Sequence, residues 1–225
     1  MILYKYCDEK GIDLLQNTRI KVANLSDIND PFEFLPQMND EFDEFRKALA
    51  ALYEYQKANY RILSLSKAEC NIIMWGHYSN KHKGILFKID TDKIRKEVEG
   101  ENPFVEVTYS RKRPKIDLKN LMSGENQQLV QSLRLLTYTK YEGWRYEEEG
   151  RAIIKYDHKE NYDYLDIPAN SILEVILGMN STSEIESLTR DILSQARFHH
   201  VKLKKAEVDK EHYSLIYREI TVDIA

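Results

Sequence analysis

The sequence predicts a single α+β domain with a central mixed or antiparallel sheet and flanking helices. Three observations carry that expectation. Stretches of strand length alternate with helical periodicities along the whole chain and are not segregated into halves. The 225 residues hold no repeat, low-complexity tract or linker-like stretch, which predicts one decorated domain over 1–225. The composition, 42% hydrophobic and 31% charged, supplies a sizeable core beneath a solvated surface.

Residues 1–6 alternate as a first strand. Asp8 is placed to cap a short helix over 11–16, whose inner face is Ile12, Leu14 and Leu15. Residues 19–23 read as a second strand. Residues 24–36 read as a loop, because Asp30 and Leu35 precede prolines and are pushed out of the helical region. Residues 39–57 are helical by length and by Phe42, Phe45, Leu49 and Leu52. Residues 60–66 alternate as a strand and 68–80 read as the next helix.

Residues 84–90 form a buried-type strand, and Asp90-Thr91-Asp92 caps a short helix through Val98. A strand at 104–110 precedes a basic, proline-broken connection at 111–119 and a helix at 126–138. Alternation predicts strands at 147–156 and 172–177. A late helix at 183–197 and strands at 201–206 and 215–224 complete the domain.

Composition also narrows the function. No apolar run approaches the ~18 residues of a spanning helix. The start, Met1 to Tyr6, has no long apolar stretch behind a basic head, so no signal peptide is expected. The expectation is a cytoplasmic protein without membrane partners. Cys7 and Cys70 have no partner at metal-ligand spacing, so free, inert thiols and no metal are expected. A net charge of -4 argues against a dedicated nucleic-acid coat. None of the 8 glycines lies closer than seven residues to the next, so neither a dinucleotide fingerprint nor a P-loop can be built. The chain has 15 tyrosines against 7 phenylalanines, an excess of rings with a polar edge.

Three constellations can carry chemistry. Asn29-Asp30-Pro31-Phe32-Glu33 is a stiff turn presenting carboxylates, read as a structural loop or a pocket rim. Met74-Trp75-Gly76-His77-Tyr78 supplies rings for stacking and three hydrogen-bonding tips. Continued as a helix, it puts Met74, Tyr78 and His82 on one face. In the third, Trp144 to Arg151, a strand would point Glu147, Glu149 and Arg151 to one face. Two like carboxylates there should raise at least one pKa unless Arg151 or a ligand compensates. Each constellation also has a plain reading as core or solvated surface. The basic runs 111–115 and 202–205 read mainly as solvated charge.

The chain resembles a bacterial family, domain-of-unknown-function family 2971, which includes proteins similar to abortive-infection factors of the AbiGi type. The resemblance rests on Leu3-Tyr4-Lys5-Tyr6, the N-D-P-F-E loop, Ser64-x-Ser66, M-W-x-H-Y, His82-x-Gly84, Val107-x-Tyr109, W-x-Y-E-x-E-x-R and Ile172 to Gly178. These motifs span 3–178, and the helix and strands of 183–225 complete the domain. A weaker resemblance is to the ADP-ribosyltransferase fold. It implies a sheet split around a cleft that binds NAD without a glycine-rich cradle.

The resemblance implies Tyr4 or Tyr6 on the first strand, Ser66 or Tyr78 on a middle element, and Glu149 as the late carboxylate. Glu149 would oppose an oxocarbenium-like transition state and Glu147 would orient or deprotonate the acceptor. Tyr78 or Tyr109 would stack on nicotinamide or adenine, and Arg151 would pair with Glu149 or a phosphate. Trp75, Trp144, Asn29, Asp30 and Glu33 complete the expected ligand-binding set. No His or Arg stands on the first strand, a departure from the pattern.

The implied function is NAD-consuming ADP-ribosylation or NAD hydrolysis in phage defence, with a protein or nucleic acid as acceptor. Two alternatives stay open: a catalytically silent nucleotide- or nucleic-acid-binding module, and a metal-independent nuclease using His77 and Glu147.

Overall fold

The computed structural model describes residues 1–37, 43–98, 103–116, 126–155 and 163–222. The expected helix start at 39–42, the end of the basic connection at 117–119, Tyr156, Tyr162 and the closing residues 223–224 lie outside these residues. Gly100 and Gly124 do so as well.

Eight strands hydrogen-bond into one mixed sheet. In chain order they are β1 (Ile2–Cys7), β3 (Tyr60–Ser66), β4 (Ile85–Asp90), β5 (Val105–Glu106), β8 (Glu149–Lys155), β10 (Ile172–Leu177), β11 (Lys202–Val208) and β12 (Leu215–Glu219). Their spatial order is β12-β11-β10-β4-β1-β3-β8-β5. Only β10 and β11 run parallel, joined by the helix α5 (Ser183–Leu193) as such a crossover requires. Two ribbons flank the sheet. In one, β2 (Arg19–Lys21) pairs with β9 (Tyr164–Asp166). In the other, β6 (Thr108–Ser110) pairs in parallel with β7 (Thr139–Tyr141).

Strand alternation sorts the core onto two faces. Leu3, Ile85, Phe87, Ile89, Val175 and Leu177 pack with Leu14 and Leu15 of α1 (Ile12–Asn17) and with Ile192 and Leu193 of α5. Tyr4, Tyr6, Leu86 and Ile176 pack on the opposite face against Met74 and Trp75 of α3 (Ile72–Tyr78). The remaining described helices are α2 (Asp43–Asn59) and α4 (Asn126–Thr137). Among the described residues no helix is long and apolar enough to cross a membrane.

The sheet is continuous, so the split implied by the resemblance is not found, but pairing is sparse between β1 and β3. β1 pairs with β4 at six positions, from Ile2–Asp90 to Cys7–Ile85. With β3 it shares one pair, Tyr4–Ser66. Two residues along β3, the Ser64 carbonyl accepts from the Lys5 ammonium (3.1 Å). A gap opens between the two strands beyond the Tyr4–Ser66 pair.

Several expected elements change. The helix at 68–80 shrinks to Ile72–Tyr78, because Asn71 caps it, accepting from Ile73 N (2.9 Å) and Met74 N (3.2 Å). It ends where Asn80, Lys81 and His82 take left-handed φ of 43°, 57° and 66°. His82 therefore does not share a helix face with Met74 and Tyr78; its ring stacks on Trp75 at 6.3 Å. The strand at 104–110 breaks at Val107, whose amide donates to the Glu149 carbonyl, so β5 and β6 join different sheets.

The strand at 147–156 starts two residues late. Residues Glu142–Glu147 form a 3-10 turn, and Glu148 (φ 44°) redirects the chain into β8. β7 and β9 have no counterpart among the expected strands, being three residues each. Two glycines, Gly84 and Gly178, are required by close packing. A Cβ on Gly84 would sit 1.9 Å from the Cys7 carbonyl and one on Gly178 2.1 Å from that of His82.

Candidate functional site

The gap between β1 and β3 is the floor of a cavity of about 280 Å³. Tyr4, Lys5 and Tyr6 come from β1, and Ser64 and Ser66 from β3. Asn29 and Glu33 come from the Pro31 turn, Tyr78 from α3, Lys140 from β7, and Glu147, Glu149 and Arg151 from the start of β8. A second cavity of about 480 Å³ adjoins it, sharing Lys5, Tyr6, Ser64 and Tyr78 and adding Lys10, Arg19 and Lys21. Both volumes are of small-molecule scale.

Five charged side chains form a closed network at the back wall. Arg151, 2% exposed, holds Glu149 in a two-pronged pair, Nε to Oε1 at 2.7 Å and Nη2 to Oε2 at 2.9 Å. Its Nη2 also reaches Glu33 Oε2 (2.7 Å), and Nη1 donates to the Thr137 carbonyl (2.7 Å). Lys140 Nζ lies 2.5 Å from Glu147 Oε2, 3.1 Å from Glu33 Oε1 and 3.4 Å from Glu149 Oε2. Both Glu33 oxygens are within ion-pair distance of a cation, yet neither lies on a hydrogen-bond axis. Glu33 is held by Coulomb attraction.

Local structure explains this convergence. Asp30 closes a turn through Pro31: Glu33 N donates to its carbonyl (3.3 Å) and Phe32 N to its side chain (2.9 Å). Phe34 then takes φ 61°, and Glu33 is turned inward. Ser66 Oγ donates to the Glu147 carbonyl (2.6 Å), and Tyr109 Oη accepts from the Glu149 amide (2.8 Å). Asn71 Nδ2 donates to the Tyr146 carbonyl (2.9 Å), which ties α3 to the 3-10 turn. That tie brings the Tyr78 hydroxyl onto Glu147 Oε1, to which it donates, while accepting from Asn29 Nδ2 (3.2 Å).

The two carboxylates of the E-x-E pair are not equivalent. Burial works against ionised Glu149, but the Arg151 guanidinium, Lys140 and the Ser64 hydroxyl hold its pKa at about 2. For Glu147 burial prevails over Lys140 and Tyr78, and its pKa is raised. Burial and the Glu147 charge push the Tyr78 phenol up, and burial pushes Tyr109 to about 12. Burial opposes the Lys140 ammonium, but the three carboxylates together raise its pKa. Lys5, on the facing wall, has its pKa lowered by burial.

The structure brings together Tyr4, Tyr6, Asn29, Glu33, Ser66, Tyr78, Glu147, Glu149 and Arg151 of the sequence-derived set. Five others lie outside the cavity lining. Trp75 is fully buried, its indole donating to Tyr217 Oη (2.9 Å), so it is a core residue and no ligand platform. Asp30 shapes the turn, and Tyr109 acts through the Glu149 backbone. His77 contacts Tyr146 Oη (2.9 Å), and Trp144 lies beneath Lys140 (5.1 Å).

Sequence reasoning missed Lys140, Lys5 and Ser64. Lys140 stands seven residues before Glu147 across a turn, a spacing that signals nothing by itself. The S-x-S alternation with Ser66 was the one available signal for Ser64. Among the described residues no group of three or more His, Cys, Asp or Glu is arranged to hold a metal ion.

A model of the family described as Protein of unknown function (DUF2971) matches residues 74–152, which run from α3 into β8. Over that stretch the chain is similar to the family. It contains M-W-x-H-Y, Lys140 and W-x-Y-E-x-E-x-R, whereas β1, the Pro31 turn and β10 lie outside it. No curated protein and no solved structure matches the chain.

Proposed function

We propose that this site cleaves the bond between nicotinamide and ribose in NAD, passing ADP-ribose to water or to a protein or nucleic-acid acceptor. The observation that carries the reading is the charge count of the buried network. Among the described residues, Glu33, Glu147 and Glu149 make ion-pair contact only with Lys140 and Arg151, one carboxylate in excess. A transition state that develops one positive charge on ribose balances that excess, and a neutral ground-state sugar does not.

In the proposed reaction the C1′–N bond electrons go to nicotinamide, whose pyridinium becomes neutral as it leaves. The cationic C1′ is captured by a hydroxyl oxygen, and Glu147 takes that hydroxyl's proton. Glu147 is assigned to the ribose because each of its oxygens has a single contact, Oε1 with Tyr78 and Oε2 with Lys140, whereas Arg151 grips Glu149 with two prongs and Lys140 adds a third contact. Glu149 then acts as a positioning residue. The Tyr78 hydroxyl orients Glu147, and Lys5 supplies the first-strand cation at the place where the ADP-ribosyltransferase pattern has His or Arg. In the adjoining cavity Lys10 and Lys21 are suited to the pyrophosphate; Arg19 is engaged by Asp13 (2.8 Å). Depletion of NAD would fit the abortive-infection role that the family resemblance implies.

The test is incubation of purified protein with NAD, with and without cell extract, following nicotinamide by proton NMR. The expected result is nicotinamide release that falls at least ~100-fold in Glu147→Gln, the scale of losing one transition-state electrostatic contact. NAD that binds without being cleaved under both conditions identifies a silent binding module and overturns the enzymatic reading.

A further inference from the structure

Beside the charge network lies a third concavity, a groove of about 250 Å³. Phe32, Arg111, Lys112, Arg113 and Tyr141 line it. Two large rings stand exposed in it, Phe32 at 56% and Tyr141 at 50%. Exposed rings this large are costly in water unless something covers them. Around them sit cations: Arg113 lies 5.9 Å over the Phe32 ring, and Lys112 and Lys115 flank it in the chain. Arg111 pairs with Glu142; Lys112, Arg113 and Lys115 have no carboxylate partner among the described residues. We propose that this groove binds single-stranded nucleic acid, with bases on Phe32 and Tyr141 and phosphates on Lys112 and Arg113.

Two features favour that occupant. Rings interleaved with cations that have no carboxylate partner among the described residues match a ligand that alternates flat faces and anionic charge, as a single strand does. An acidic peptide would use the cations and leave the rings bare. A duplex keeps its base faces stacked inside and could engage only the charges.

The second feature is rigidity. Gln37 clamps the basic segment, its backbone amide donating to the Pro114 carbonyl and its side chain to that of Arg113, both at 2.8 Å. Ser110 Oγ donates to the Lys112 carbonyl (2.8 Å) and accepts from its amide (3.0 Å). Gly143 leaves room for the Tyr141 ring, since a Cβ there would be 2.6 Å from it.

The groove and the charge network meet along the same two segments. Phe32 lines the groove and its neighbour Glu33 the network; Tyr141 lines the groove, and its neighbour Lys140 lines both. A strand bound outside therefore touches the segments that place Glu33 and Lys140 inside. The inference stands apart from the reaction proposed above, because binding can be measured without NAD.

The experiment uses the whole protein and fluorescein-labelled oligo(dT) and oligo(U) of about 12 nucleotides, read by fluorescence anisotropy across salt. Expected is saturable binding whose log–log salt slope is about -0.7 per phosphate contacted. Lys112→Glu with Arg113→Glu should weaken binding at least ~10-fold and flatten that slope. Phe32→Ala and Tyr141→Ala should each weaken it about 5- to 100-fold with the slope unchanged. All four positions are exposed, and circular dichroism checks that the variants fold. Absence of saturable binding at low salt overturns the proposal. So does polyglutamate or duplex DNA binding as tightly as the single strand, or ring variants that bind normally, which would mark a bare charge patch.

Discussion

Two groups of ion pairs cross this sheet and are built from the same residue types. On the β4–β10–β11 side Glu174 takes Lys88 at 3.1 Å and Lys204 at 2.5 Å, with Lys88 directly opposite both Tyr4 and Glu174 in register. Those side chains keep 13–23% of their surface in solvent. One carboxylate there serves two cations, and its pKa is lowered although burial opposes that. At the β3–β8 end three carboxylates share two cations, and none is more than 5% exposed. A pair that keeps contact with water contributes little, since solvent screens its charges. A buried network costs heavily when it is left unbalanced. Retaining an unbalanced buried network is therefore the unusual feature, and it sits beside the cavity.

The sharpest way to break the comparison is to remove one cation from each group. Arg151→Met strands Glu149 and Glu33 without their guanidinium and is expected to destabilise the fold by about 3–5 kcal/mol. Lys88→Met should cost no more than about 1 kcal/mol. Denaturant unfolding of both variants decides it, and equal losses would mean that burial does not separate the groups.

Next in size is the split between stability and activity at Glu147. Glu147→Gln keeps the shape and removes the carboxylate whose pKa is raised, so the unfolding midpoint at neutral pH should hold or rise. Nicotinamide release should fall at least ~100-fold. A fall in stability matching that of Arg151→Met would make Glu147 a structural member of the network.

Acidity separates the two carboxylates with opposite signs. Glu149 is lowered from its ordinary 4.5 to about 2, so its contribution is fully present above 4.5 and is lost as pH falls from 4.5 through 2. That loss is about 3 kcal/mol at ~1.4 kcal/mol per unit. Glu147 is raised above 4.5, so the folded state binds its proton more tightly, and stability falls as pH rises from 4.5 through the raised value. Activity that needs ionised Glu147 should climb across that same interval. Calorimetric midpoints and initial rates against pH check both, and Glu147→Gln should remove the alkaline-side fall while keeping the acid-side loss.

A smaller effect than that of Arg151→Met, confined to stability, is expected on the α3 face, away from the network. Tyr217→Phe removes the hydroxyl that accepts from Trp75 Nε1 and donates to the Glu69 carbonyl (2.6 Å). It should cost about 1–2 kcal/mol, read from the thermal midpoint, with nicotinamide release unchanged.

How much of this was legible in the sequence varies along the chain. Strands 60–66 and 172–177 fall where alternation and apolar runs place them, because their side chains are sorted by a buried face on the same strand. The helix expected at 68–80 was too long, since nothing in residue type stops the helix between Tyr78 and Asn80, while the left-handed Asn80, Lys81 and His82 turn the chain away. β7 and β9 escaped because a three-residue strand has no period to read; each exists only through its partner. Glu147, Glu149, Arg151 and Tyr78 could be named in advance from crowded polar chemistry. Lys140 could not, because its meeting with three carboxylates depends on how β7 is carried past β8.

The sequence by itself determined the mixing of strands and helices, the absence of a glycine phosphate cradle, and the segments that bear concentrated polar groups. These are local properties of side chains and of backbone freedom. Only the tertiary structure decided that Arg151 grips Glu149 with two prongs while Glu147 is shared by Lys140 and Tyr78. It also decided that Trp75 is core, and that the basic run and Phe32 share one groove. The reason is physical: a carboxylate's charge state and reach depend on its burial and on the cations within a few ångströms, and those cations arrive from distant parts of the chain.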